Sequence, residues 1–235
     1  MNIPALYLIP VTLGDSPLER VLPAYNKDVV LKIRHFIVEN ERTARRFLKK
    51  VDASIDIDQL TFYLLNKHTS PEEIATFIAP LKNGYPVGIL SEAGCPAIAD
   101  PGADVVHIAQ QKKYKVVPLV GPSSILLSLM ASGFNGQQFA FAGYLPVDRE
   151  QRVRMLKNME QRIYQEHQTQ IFIETPYRNN KLVEDILQLC KPSTRLCIAA
   201  NLTCEDELVR TLGVKEWKGK VPDLSKQPCI FLLYR

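Results

Sequence analysis

Short apolar, β-branched runs alternate with longer stretches of helical spacing along the whole chain. That alternation admits few folds other than mostly parallel sheets covered by helices. In the first half, strands read at residues 5–10 (ALYLIP), 35–39 (HFIVE), 87–91 (VGILS) and 115–120 (KVVPLV), with helices beginning near Pro17, Glu41, Pro71 and Gly102. The third helix has a clear start: Ser70 caps it, Pro71 takes the first helical position and Glu73 stands three residues after the cap. Lys82-Asn83-Gly84 ends it. After Val120, Gly121-Pro122-Ser123-Ser124 interrupts the pattern and opens an apolar helix closed by Gly133. The second half then shows strands at 139–145, 169–175, 195–201 and 228–234, with a further short one around 208–212. The expectation is two α/β domains, residues 1–120 and 121–235, with the default site in a cleft between them.

Composition narrows the class. With 46% hydrophobic and 23% charged residues, the chain has the make-up of a packed globular protein. The opening MNIPALYLIPV lacks the basic start and long apolar run of a signal peptide, and no stretch approaches the roughly eighteen apolar residues of a membrane span. Five cysteines (Cys95, Cys190, Cys197, Cys204, Cys229) are an odd number without a metal-ligand spacing, which predicts reduced thiols, no metal site and a cytoplasmic location. The net charge of +4 permits an anionic partner without demanding one. Charge is concentrated in ERTARRFLKK, where Arg42, Arg45, Arg46 and Lys49 fall on one helical face that is able to meet phosphates or, equally, simply to be solvated.

The segment richest in chemistry runs from Ser91 to Gly102, SEAGCPAIADPG, between a strand and a helix. Ligands of open α/β sheets sit beyond the carboxyl ends of strands, and small residues let them approach the backbone. Spacing alone supports a rigid turn equally well, since neither the Rossmann glycine pattern nor a P-loop is present. This segment resembles the S-D-A-G-T-P-x-I-S-D-P-G signature of the tetrapyrrole methylase superfamily, in its branch that methylates a ribose 2′-oxygen of small-subunit ribosomal RNA. The resemblance continues in order. Leu6 to Gly14 is similar to that branch's first strand and turn, and Gly121-Pro122-Ser123-Ser124 with Ala131-Ser132-Gly133 to its G-P-S-A…A-S-G helix. Phe141 to Pro146 is similar to F-x-G-F-L-P, and Ile173 to Arg178 to Y-E-S-P-H-R.

The resemblance implies two α/β domains of the tetrapyrrole methylase type, S-adenosyl-L-methionine as methyl donor in the cleft between them, and a homodimer. Carried over motif by motif, it places donor contacts at Ser91, Gly94, Ala97, Ile98, Gly121, Ser123 and Ser124, with Phe141, Gly143, Pro228 and Cys229 as further walls. Glu174 is the leading candidate for a catalytic base, its alternative being an anchor that bonds loop backbone or pairs with Arg178.

Departures concern the acceptor. Glu39-Asn40-Glu41-Arg42 stands where the branch has E-D-T-R, Tyr177 replaces a histidine, and Ala200-Asn201-Leu202-Thr203-Cys204 replaces an R-E-L-T-K-like stretch. Three functions therefore stand side by side: ribose methylation of ribosomal RNA, methylation of a tetrapyrrole carbon, and RNA binding without catalysis.

Overall fold

The computed structural model describes residues 4–235. The chain divides into two compact units, the first ending at Ser123 and the second running from Ser124 to Arg235.

In the first unit, β1 (Leu6–Ile9) is followed by α1 (Leu18–Val21), α2 (Ala24–Val30), β2 (His35–Val38), α3 (Glu41–Val51) and β3 (Thr61–Leu64). Then come α4 (Pro71–Phe77), α5 (Ala79–Lys82), β4 (Val87–Leu90), α6 (Gly102–Gln111) and β5 (Val116–Pro118). The strands form one parallel sheet in the order β3-β2-β4-β1-β5. Both faces are apolar, as helix-covered parallel sheets require. Tyr7, Ile9, Phe36 and Val38 pack with Ala44 and Leu48 of α3 on one face. Leu6, Ile37, Val87 and Ile89 pack with Ile74, Phe77 and Val105 on the other.

Where element boundaries differ from expectation, proline and exposure explain it. The single helix expected from Pro17 is broken in two, because Pro23 forces the residue before it out of helical conformation, and Leu22 is extended (φ −119°, ψ 129°). The strand β3 was not foreseen. It is an edge strand paired only with β2, with no buried residue and no continuous apolar run to mark it. The cap of α4 is as expected, with Ser70 Oγ accepting from Glu73 N at 3.2 Å.

The second unit contains α7 (Ser124–Ser132), β6 (Phe139–Tyr144), α8 (Arg149–Glu166), β7 (Thr169–Ile173) and α9 (Asn179–Leu189). It closes with β8 (Arg195–Ala200), β9 (Leu208–Gly213), α10 (Val214–Trp217) and β10 (Cys229–Tyr234). Its sheet, in the order β6-β7-β10-β8-β9, corrects the expectation of mostly parallel strands. Only β6 and β7 are parallel, and the other three pairings are antiparallel. The connection from β8 to β9, residues 201–207, is far shorter than the dozen or so residues of a parallel crossover. The core holds Leu156, Phe172, Ile186, Phe231 and the sole tryptophan, Trp217, whose Nε1 donates to the Leu196 carbonyl at 2.9 Å.

One ion pair crosses this core. Arg152 of α8 donates from Nε and Nη2 to Asp185 Oδ2 of α9 at 2.9 and 2.8 Å, and from Nη1 to the carbonyls of Pro146 and Val147 at 2.9 and 2.8 Å. Asp185 is fully buried and Arg152 is 8% exposed. One guanidinium thus joins two helices to the loop that follows β6. Removing one partner of a buried pair strands the other charge. Asp185→Ala is expected to destabilise the protein by about 3–5 kcal/mol, read from the midpoint of urea denaturation.

Candidate functional site

The carboxyl edge of the first sheet is where β1 and β4 release the chain into the turns of the signature motif. Between β4 and α6, residues 91–101 make no regular element, so their polar groups need other partners. Ser91, 7% exposed, donates its hydroxyl to the Gly94 carbonyl at 2.6 Å, and Val11 N donates to the same oxygen at 3.0 Å. Asp100 Oδ1 accepts from Ala97 N and Gly102 N, each at 2.8 Å. Burial pushes the Asp100 carboxyl up, and the two amide bonds oppose that shift.

This bonding holds the loop in a conformation with little freedom. Ala97 and Ala99 both lie in the left-handed region, at φ 65° and 60°, where non-glycine residues are uncommon. Gly94 has φ 72°, and a Cβ there would stand 3.0 Å from Leu13 Cδ2 and 3.2 Å from the Pro122 carbonyl oxygen. Gly121 allows the closest approach of all, since a Cβ would lie 2.2 Å from Pro10 Cγ. The Cys95 thiol points at the carbonyls of Gly121 and Pro122, 3.8 and 3.4 Å away, and burial raises its pKa. The structure therefore brings together Ser91, Gly94 and Gly121 of the expected donor contacts. Ala97 and Ile98 lie on the outer part of the loop, with Ile98 50% exposed. Ser123 ends the first unit and Ser124 is the first residue of α7 in the second.

Beside Ser91 is a cavity of about 210 Å³, lined by Val11, Thr12, Thr43, Arg46, Lys50 and Glu92 among others. It refines the basic stripe of α3. Arg45 turns to Glu41 and lies 5.4 Å from the Phe62 ring centroid, while Lys49 donates to the Ala53 carbonyl at 3.0 Å. Arg42 is exposed at the start of the helix. Arg46 alone of the four lines the cavity, joined there by Lys50, which the stripe had left out. Lys50 Nζ lies 3.1 Å from Asp15 Oδ1 and donates to the Ser16 carbonyl at 3.0 Å. Glu39, at the end of β2, has its pKa raised by burial and by the negative charges of Asp100 and Glu92. Asn40 caps α3, accepting from Arg42 N at 2.9 Å and Thr43 N at 3.3 Å, so the departure from E-D-T-R still serves the helix.

In the second unit, strand directions put the ends of β6, β7 and β8 and the start of β10 at one edge of the sheet. Gly143 lies there in an irregular stretch of β6, at φ 67°, with Phe141 two residues before it. Cys229 opens β10 as a core residue whose thiol burial pushes up to about 12, so it stays protonated at neutral pH. Pro228 accepts from Asn201 N at 3.0 Å, and Asn201 Nδ2 donates to Asp206 Oδ2 at 2.7 Å. Glu174 follows β7 and is 6% exposed. Its Oε1 accepts from Thr175 N at 2.6 Å and from Arg178 Nη2 at 2.5 Å. These are the partners of an anchor. Tyr177, in place of the histidine, is 84% exposed.

Residues 15–217 match the family of Tetrapyrrole (Corrin/Porphyrin) Methylases. The chain belongs to this family. It is a methyltransferase, with S-adenosyl-L-methionine as donor. Among relatives of this methylase, the Ribosomal RNA small subunit methyltransferase I of Vibrio cholerae is 28% identical over 236 residues, 98% of this chain and 77% of that protein. The protein of the same name from Mesorhizobium japonicum is 31% identical over 211 residues, 88% of this chain and 67% of that protein. Others are matched over less than two thirds of their own length, 61% for that of Pasteurella multocida. In fold, the methylase is similar to the crystal structure of the methyltransferase CobJ, with a TM-score of 0.65 over 98% of this chain and 94% of that one at 12% identity. On the signature loop Gly94 is buried against Leu13 and the Pro122 carbonyl, while Ala93 and Ile98 are exposed.

Proposed function

We propose that this methylase transfers the donor methyl group to a ribose 2′-oxygen of small-subunit ribosomal RNA. The observation that carries the reading is collinear likeness to proteins named as small-subunit ribosomal RNA methyltransferases over 98% of the chain in one case. The cavity beside the signature loop, with Arg46 and Lys50 in its lining, suits an anionic acceptor such as RNA. The likeness to CobJ is one of fold and adds no weight to a tetrapyrrole substrate.

In this reading Ser91, Gly94, Ala97 and Ile98, with the turn from Gly121 to Ser123, hold the donor. The donor supplies an electrophilic methyl carbon on a sulfonium. The chain's part is to fix that carbon in line with the acceptor oxygen and to keep water away. No metal is needed for such a displacement. The pairing of Glu174 with Arg178 and Thr175 N supports a role in positioning the loop after β7. A homodimer belongs to the same reading, with α7 presenting Leu126 and Met130, 53% and 79% exposed and one helical turn apart, to a second copy.

Incubated with radiolabelled donor and small ribosomal subunits that lack the modification, the protein is expected to label a single ribose. Labelling of a tetrapyrrole precursor instead would replace this reading, and RNA binding without labelling would leave the non-catalytic one. Ala97→Trp is expected to weaken donor binding in calorimetry at least tenfold with the circular dichroism spectrum unchanged.

Glu174→Gln keeps an acceptor for Thr175 N and loses the ion pair. It is expected to lower turnover far more than donor affinity, and unchanged turnover would show that methyl transfer does not depend on how Glu174 positions this loop. Sedimentation equilibrium is expected to give twice the 26.6 kDa chain mass, and Met130→Glu to return it to one.

A further inference from the structure

The lining of the cavity beside Ser91 combines two cations with one carboxylate. Arg46 and Lys50 come from successive turns of α3 and bring two cations to it. Among the described residues Arg46 has no hydrogen-bond or ion-pair partner, and Lys50 has only Asp15, whose side chain is fully exposed, and the Ser16 carbonyl. Glu92 comes from the signature loop itself, one residue after Ser91. Thr43 Oγ1 lies 2.7 Å from Glu92 Oε1 and 2.9 Å from the Asn40 carbonyl, so its one proton steers whichever of the two it serves. Thr12 and Ser91 add hydroxyls to the wall.

A ligand suited to such a space carries both an anion and a hydroxyl donor. A bare phosphate has no use for Glu92, and a neutral sugar none for Arg46 and Lys50. A nucleotide within a strand has both groups, its 3′-phosphate next to its 2′-hydroxyl.

We infer that this cavity receives the acceptor nucleotide, with Arg46 and Lys50 on a backbone phosphate and the Glu92 carboxylate, steered by Thr43, on the ribose hydroxyl that is methylated. The inference rests on the ribose-methylation reading and adds to it the acceptor site and the proton acceptor. In the step, the hydroxyl oxygen forms its bond to the methyl carbon as the carbon–sulfur bond breaks. The electron pair of that bond stays on sulfur, and the hydroxyl proton passes to Glu92 and then to solvent. A carboxylate one residue from the donor loop is well placed for this, since proton removal must coincide with methyl approach.

The test compares wild type with Arg46→Ala, Lys50→Ala, Glu92→Gln and, as control, Lys112→Ala at the end of α6. Affinity for unmodified small ribosomal subunits is measured across a salt series, donor affinity by calorimetry and single-turnover methylation at saturating subunit. Arg46→Ala and Lys50→Ala are each expected to weaken subunit binding about tenfold at low salt and to lower the salt slope by about one, with donor affinity unchanged. Glu92→Gln is expected to bind subunit and donor within about twofold of wild type and to lose at least ~100-fold in the single-turnover rate. Lys112→Ala behaves as wild type. Matched melting curves separate these effects from loss of fold.

Wild-type methylation with Arg46→Ala and Lys50→Ala both binding normally overturns the assignment of the cavity, and an unchanged rate in Glu92→Gln overturns its role as proton acceptor. If wild type neither binds nor methylates the subunit, the ribose-methylation reading fails and takes this inference with it.

Discussion

Between β4 and α6 the chain has no ladder or helix to satisfy its backbone, and the site depends on how that need is met. One carboxylate oxygen of Asp100 takes the amides of Ala97 and Gly102, and one carbonyl, that of Gly94, takes Val11 N and the Ser91 hydroxyl. An unpaired buried amide costs about 1–3 kcal/mol, so these four bonds decide whether the loop has one conformation or many. They also hold Ala97 and Ala99 in left-handed backbone, a conformation that persists only where the surroundings impose it. Small residues here meet the demand of the tight path of the loop, and in the proposed reading they also leave room for the donor.

The parallel sheet gives that loop its neighbours. Because β1, β2 and β4 run the same way, the turns after all three leave from one edge, and α3 begins there with Asn40 as its cap. The apolar face of α3, Ala44 and Leu48, is fixed against the sheet, and this fixes which of its cations reach the edge beside Ser91. Arg46 and Lys50 do. Arg45 and Lys49 are drawn to Glu41, Phe62 and the Ala53 carbonyl instead.

The second unit positions its loops with buried charge. Arg152 binds Asp185 and the carbonyls of Pro146 and Val147, while Glu174 binds Arg178 and Thr175 N. In both cases a charged group out of water is held by several directional bonds, which restrict it to one geometry. Both clusters border the sheet edge that carries Gly143 and Pro228, so the motifs that follow β6 and β7 are rigid where they leave the sheet.

The sequence by itself determined the strands at 6–9, 35–38 and 87–90, the Ser70 cap, the interruption after Val120 and the motif order that marks the family, because each is written in local periodicity or in adjacent residues. It did not contain β3, whose half-exposed TFYL has no pattern of its own, nor the antiparallel pairing of β8, β9 and β10, which follows from which strands meet rather than from what each contains. Tertiary structure alone decided that Lys50 and not Lys49 stands beside Arg46, and that Glu92 is steered by Thr43 across 49 positions of sequence. Side-chain partners distant in the chain are set by how helices dock on a sheet, and docking depends on the sum of buried contacts rather than on any residue's neighbours.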